Sequence, residues 1–445
     1  MLDAVIRAFR LPDVRRRLLF TLAMLGIFRL IAHIPVPGVQ PDAVKAIFEQ
    51  QALLGMLDMF SGGAMTSFSI AAMGVYPYIT ASIIMQLLQP IFPQLREMAR
   101  EGEAGRLRLA QYTRLLTVPL AALQAYAQGQ LLRSAGSSVQ VLENFDLFNR
   151  ATFLPTLSII CTLTAGTMFL VWVGELITEK GIGNGISIII FGGIVARLPD
   201  TMGRTIAGQV EPTEGFVRVA VLAVLGLVMV AAIVYMNEGQ RRIQVQYAKR
   251  IRGNRVYGGT TTYIPLRVNS AGMIPLIFAM SIMLLPGTIA TYLQNIPGPL
   301  GTAAQWTLFV FDASSPAYWG MYFVLVVSFT FFYTDVMFQQ QNLPENLQKQ
   351  GGFIPGIRAG RSTADYLNRV VRHITLAGAL FLGTLAVLPY GAGQVLSLAS
   401  NSPQDPGFTL TLSTAGILIV VGVVLDTMKQ LEAQLMMRDY EGFIK

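Results

Sequence analysis

The residues able to do chemistry in this 445-residue chain are few, and most are arginines. Arg241, Arg242, Lys249, Arg250, Arg252 and Arg255 crowd one stretch; Lys349, Arg358, Arg361, Arg369 and Arg372 are spread along another. Guanidinium groups hold carboxylates and phosphates through paired hydrogen bonds, and clustered cations bind a nucleic-acid backbone without reading its bases. Attraction to anionic lipid, about 1 kcal/mol per charge, explains the charge equally well. Catalytic chemistry finds little to use. His33, His373 and the single Cys161 make neither a metal-ligand cluster nor a disulfide framework. None of the six lysines follows a glycine, so no GxxxxGKS/T phosphate loop exists. No HExxH motif and no nucleophile–histidine pairing stands out. The chain is expected to be no enzyme, with no cofactor and no metal.

Four more charges, Arg29, Glu175, Asp335 and Asp426, fall in or near apolar runs. Such groups often mark ion-coupling sites, which keeps an ion-coupled secondary transporter with inverted repeats as the alternative reading. Glu175 is soon followed by Glu179-Lys180 and Asp426 by Lys429, which places both near a membrane interface.

The elements that must position these residues are membrane helices. Hydrophobic residues make up 53% of the chain and charged ones 13%, against about a quarter in soluble domains. Apolar runs lie at 18–36, 70–92, 115–132, 153–177, 184–198, 215–236, 270–293, 317–338, 373–390 and 408–428. That predicts about ten spanning helices, the one at 184 being short. The first run is too long for a signal-peptide core and is read as a retained helix. Pro275 and Pro286 are expected to interrupt and kink the seventh. Counting Lys and Arg on alternating sides puts 26 on one side and five on the other. The basic side is therefore cytoplasmic, with both termini inside. Between the helices, Ile243–Tyr247 alternates as a strand does, and Gly253-Asn254 before Arg255–Tyr257 signals a turn, so a small cytoplasmic hairpin is expected.

One stretch departs from this pattern. Met56–Gln89 contains an apolar half from Ile70 to Leu88 that is about long enough to span. Before it stands a short, broken segment holding Asp58, Ser61, Gly62 and Gly63. A break at membrane depth is tolerated only where protein or a water-filled cavity surrounds it. A small segment seated in a channel satisfies that condition.

Phe60-Ser61-Gly62-Gly63 followed by Pro77-Tyr78-Ile79-Thr80-Ala81-Ser82-Ile83-Ile84 resembles the SecY family of protein-conducting channels. So do Gly181-Ile182-Gly183-Asn184-Gly185-Ile186-Ser187, Gly239-Gln240-Arg241-Arg242-Ile243 and Gly352-Phe353-Ile354-Pro355-Gly356-Ile357-Arg358, in the expected order. The resemblance runs from Arg16 to Tyr440. It implies an all-α integral membrane protein of about ten transmembrane helices, in two pseudo-symmetric five-helix halves, 1–200 and 201–445, around a central pore. It implies a ring of Val75, Ile79, Ile186, Ile190, Ile277 and Ile419 at the constriction. Beneath the ring would sit a plug at 53–69 with Asp58, Phe60, Ser61, Gly62 and Gly63. A lateral gate would lie near Ser82, Gln86 and Asn269. Many members carry Asn in place of Asp58. The basic loops at 237–269 and 339–372, with Arg241, Arg242, Arg250, Arg252, Arg255, Arg358 and Arg361, would dock a ribosome and the motor ATPase SecA. Ala359 stands where the family usually has Pro. The implied partners are the small subunits SecE and SecG, unfolded preproteins, signal sequences and lipid, and the implied place is the plasma membrane.

Overall fold

The computed structural model describes residues 11–39, 44, 58, 61–135, 145, 152–207, 212–247, 250–252, 255–257, 261–272, 274–293, 298–311, 315–341, 343–358, 360–400 and 414–443. A helix lies in each of the ten apolar runs. In the first half these are α1 (Pro12–Ile31), α2 (Tyr76–Leu88), α4 (Glu103–Ala135), α5 (Phe153–Lys180) and α6 (Gly185–Ala207), with a short α3 (Pro93–Arg100) between α2 and α4. The second half holds α7 (Pro212–Glu238), α8 (Ile274–Leu293), α10 (Pro316–Gln341), α12 (Arg361–Ser400) and α13 (Thr414–Phe443), with α9 (Pro299–Phe311) and α11 (Leu343–Lys349) in the connections. On length and hydropathy alone, three helical stretches among the described residues are able to cross a membrane: 153–180, 316–349 and 361–388. Shorter apolar helices at 76–88, 185–197, 223–238 and 274–283 lie beside them. The charged ends of α1 and α4 dilute their averages, because both helices continue past their apolar stretches.

Local chemistry sets several boundaries. Proline stands in the first turn of α1, α2 and α3, where its missing N–H costs nothing. Asn184 caps α6, its Oδ1 accepting from the backbone N–H of Ile186 (3.1 Å) and Ser187 (3.3 Å). This explains how a glycine-rich string can start a helix.

Four sequence expectations change. The second helix starts at Tyr76, not Ile70. Ile70 N–H donates to Ile34 O and Val36 N–H to Phe68 O, at 3.0 Å each, and Gly74 turns left-handed at φ 56°, so 70–75 is a chain of turns. The sixth helical element is long, 23 residues, and runs through Pro199. Pro275 occupies the first turn of α8 and does not interrupt it, while the helix continues through Pro286. The hairpin is larger than expected. Strand β1 (Gln240–Tyr247) pairs antiparallel with β4 (Thr261–Arg267), and β2 (Arg250–Arg252) pairs separately with β3 (Arg255–Tyr257).

Helices of the first half pack in the series α2–α4–α5–α6, with α1 against α5 and α6. In the second half α8 packs on α10, α10 on α12, and α13 on α7 and α12. The halves meet along two lines. One is broad, α6 against α7 and α13; the other is thin, α8 against α2 and α4.

Candidate functional site

The largest apolar cluster lies between the two halves. Val75, Ile190, Ile277 and Ile419 are buried in it, and Ile79 and Ile186 pack against it half-buried. All six aliphatic residues singled out in the sequence therefore lie in or against the same apolar cluster, from the start of α2, from α6, from α8 and from α13. Ile419 is completely buried. Around them stand Leu276 and Met280 of α8 and Leu418 of α13. Aliphatic side chains offer no fixed charge to a passing solute.

The glycine-rich segment is packed against this cluster, Ala64 being a member. Asp58 organises the segment. Its Oδ1 accepts from Ser61 Oγ (3.1 Å) and from the N–H groups of Met65 (2.9 Å) and Thr66 (3.0 Å). Its Oδ2 lies 2.6 Å from Arg197 Nη1 of α6, and the Asp58 side chain has no exposed surface. Arg29 of α1 donates to Gly62 O at 2.8 Å. Gly62 and Gly63 have φ of 68° and 87°, and a side chain at Gly62 would collide with the backbone of Gly193 in α6. The segment ends in an antiparallel bridge between Ser69 and Pro35. Phe60 lies outside the described residues, as does most of 53–60.

The thin line between halves carries its own small apolar cluster: Ile83 of α2, Ala271 and Phe278 before and in α8, and Tyr333 of α10, with Ile79 and Leu87 packed against it. Phe278 meets Phe329 and Tyr333 edge to face at centroid distances of 5.8 and 6.2 Å. The polar residues predicted for this seam do not bridge it. Gln86 Nε2 is 3.5 Å from Ser82 Oγ on its own helix. Asn269 donates to Asn237 Oδ1 at 2.9 Å, at the end of α7. Tyr76 of α2 and Ser281 of α8 come close across the line, a proximity missed in the sequence, while Ser281 Oγ donates to Ile277 O of its own helix at 2.8 Å. Both are common residue types inside membrane helices, and only the facing of α2 and α8 couples them.

The two basic loops form one body. Strand β1 lies between β4 and β5 (Gly352–Phe353), with Gln246 opposite Phe353 and Tyr247 opposite Gly352. Ile243, Val245, Leu347, Ile354 and Leu367 build a separate core beneath. Arg241, Arg242, Arg358 and Arg361 are exposed on this module. Arg358 follows the tight turn of Gly356 (φ 81°), and its carbonyl accepts from Thr363 Oγ1 at 3.0 Å. Arg250, Arg252 and Arg255 stand on the separate β2–β3 pair.

Two of the isolated acidic residues have local partners and the third is exposed. Glu175 pairs with Arg114 of α4, Asp335 accepts from Gln339 at 2.8 Å, and Asp426 is exposed. Among the described residues they form no acidic cluster.

Residues 69–428 match the family model for SecY. The protein translocase subunit SecY of Streptomyces scabiei is 43% identical over 453 residues, with both chains covered completely. That of Mycobacterium tuberculosis is 43% identical over 461 residues, again over the whole of both. Among solved structures, one described as a protein-conducting channel superposes with a TM-score of 0.60 at 16% identity, covering 96% of each chain. Another, in which the SecY plug domain stabilises the closed channel and maintains a membrane seal, gives 0.56 at 18% identity, also over 96% of each. At such identities these structures show a common fold: a multi-pass helical membrane channel. With the whole length matched by the family's sequences and its architecture, the chain belongs to the SecY family.

Proposed function

We infer that this chain is the central pore-forming subunit of a general protein translocase, which passes unfolded preproteins across a membrane and releases hydrophobic segments sideways into lipid. The observation that carries this is that six aliphatic side chains from four helices share one apolar cluster, with a glycine-hinged segment against it. A collar without hydrogen-bonding groups resists ions by shedding water and grips no passing chain. Val75, Ile79, Ile186, Ile190, Ile277 and Ile419 form that collar. Asp58, Phe60, Ser61, Gly62 and Gly63 belong to the plug.

Residues 1–200 and 201–445 act as two halves, hinged along the broad α6–α7 line and parting along the thin α2–α8 line. Signal segments enter lipid there, past Ile83 and Phe278. The energy comes from outside the chain. The solved ribosome-bound relatives include Sec61 in a canine ribosome–channel complex, with a TM-score of 0.56 at 16% identity. By the same logic, the basic module of Arg241, Arg242 and Arg358, with the β2–β3 arginines, receives a ribosome or the motor SecA, and SecE and SecG flank the helices. The excess of 26 cationic residues over five supports a plasma-membrane orientation with both termini cytoplasmic.

Reconstitution of the chain with its small subunits, SecA, ATP and an unfolded preprotein tests the reading. Preprotein protected from added protease is expected. Absence of protection, with ion-driven uptake of a small solute instead, would establish the transporter.

A further inference from the structure

We propose that Asp58 and Arg197 form a charge-paired latch that holds the plug segment against α6 in the resting channel and lets go when the pore is wetted. The proposal rests on the plug reading above. Asp58 divides its two oxygens between two tasks. Oδ1 faces inward and gathers Ser61 Oγ and the N–H groups of Met65 and Thr66, which fixes the turn of the segment itself. Oδ2 faces outward and meets Arg197 Nη1 at 2.6 Å, which fixes that turn to α6. The segment's own turn therefore does not depend on its outward contacts to α6 and α1, of which the Asp58–Arg197 contact is the ion pair.

The surroundings make this contact specific. Gly62 lies on Gly193, one helical turn before Arg197, so closely that a side chain would clash. The aliphatic stem of Arg197 passes alongside Gly63. Arg29 holds Gly62 O from the other side, at 2.8 Å. The glycines thus let the segment approach α6 closely enough for the carboxylate to reach the guanidinium.

The two partners differ in exposure: the Asp58 side chain is 0% exposed and that of Arg197 29%. A charge pair is strong when water is excluded and weak when water enters. The sealed pore therefore favours the latch, and a chain threading the collar with its hydration shell weakens it. Removing one partner of a buried pair is costly because the other charge is left without compensation. The cost must fall unequally here. Without Arg197, Asp58 has no route to water. Without the Asp58 charge, Arg197 already reaches water, and an amide oxygen at position 58 still accepts the Met65 and Thr66 N–H groups.

Ion flux through the resting complex, reconstituted with its small subunits, reads the latch. Arg197→Met is expected to raise flux about tenfold or more, Asp58→Asn to raise it less, and the double variant to leak less than Arg197→Met alone, since no unpaired charge remains. Deletion of residues 57–67 is the reference for an absent plug. If deletion raises flux while Arg197→Met does not, or if the two single effects simply add, the latch is overturned and the plug reading stands. If deletion leaves flux unchanged, both fall. A second readout covers variants that assemble poorly. In a Cys161→Ser background, Thr66→Cys should react faster with an impermeant maleimide when Arg197 is Met than when it is Arg. Equal rates would also overturn the latch.

Discussion

Ile79, Ile190 and Ile277 share a negative property: none donates or accepts a hydrogen bond, and none carries charge. Their value to a seal is that water gains nothing by entering between them. Replacing all three by Ser supplies hydroxyls that hold water in the constriction. The resting complex should then conduct ions measurably in planar bilayers, whereas an unchanged baseline would remove the collar. Gly62 supplies a different property. Its φ of 68° and its contact with Gly193 both exclude a side chain. Gly62→Val should strain the seated plug by about 1–3 kcal/mol, and the same flux assay should show a leak. Arg358 illustrates a third case, an exposed charge held on a firm turn. Arg358→Glu should leave the amount of membrane-inserted protein unchanged while lowering SecA-driven export about tenfold, as expected when charge-assisted hydrogen bonds worth roughly 1.5–3 kcal/mol are lost. Normal export would withdraw the docking role.

Among elements, α2 and α8 are the pair that the proposed function assigns to sideways opening. Their seam is thin, and its cohesion comes from Phe278 among Ile83, Phe329 and Tyr333, with Tyr76 and Ser281 close across it. Interhelical hydrogen bonds in membranes are worth about 0.6 kcal/mol on average, while truncating a buried Phe costs about 3–5 kcal/mol. The aromatic side chain is therefore the stronger clasp. Phe278→Ala should ease opening more than Ser281→Ala does. The comparison is read as the yield of crosslinking between a cysteine at Gln86 and a signal segment in a Cys161-free background. The reverse order would make the polar contact the clasp. The elements of the basic loops show the opposite economy. There β1 joins two loops more than a hundred residues apart, so Arg242 and Arg358 move as one surface. A partner that grips one loop grips both.

At the scale of the whole molecule, membrane residence, helix number and the basic face were legible in the sequence. Hydropathy and charge placement act locally, through the cost of putting a peptide group or a cation in hydrocarbon. The motif strings also marked Val75 and five isoleucines, and all six lie in or against one apolar cluster. What composition and spacing left open were relations between distant segments. Asn184 capping α6 was within reach of sequence rules, but the pairing of Asp58 with Arg197 was not. Those residues are separated by well over a hundred positions, and nothing in either neighbourhood demands the other. The same holds for Tyr76 with Ser281 and for β5 adding to β1. Even the start of α2 was misplaced, because the backbone groups of Phe68 and Ile70 are spent on 34–36 instead of on a helix. Local energies chose which segments are helices and which loops carry the basic charge. Only the packed structure determined which charge meets which, because a buried ion pair forms through the approach of two backbones, and here that approach depends on two glycines lying against each other.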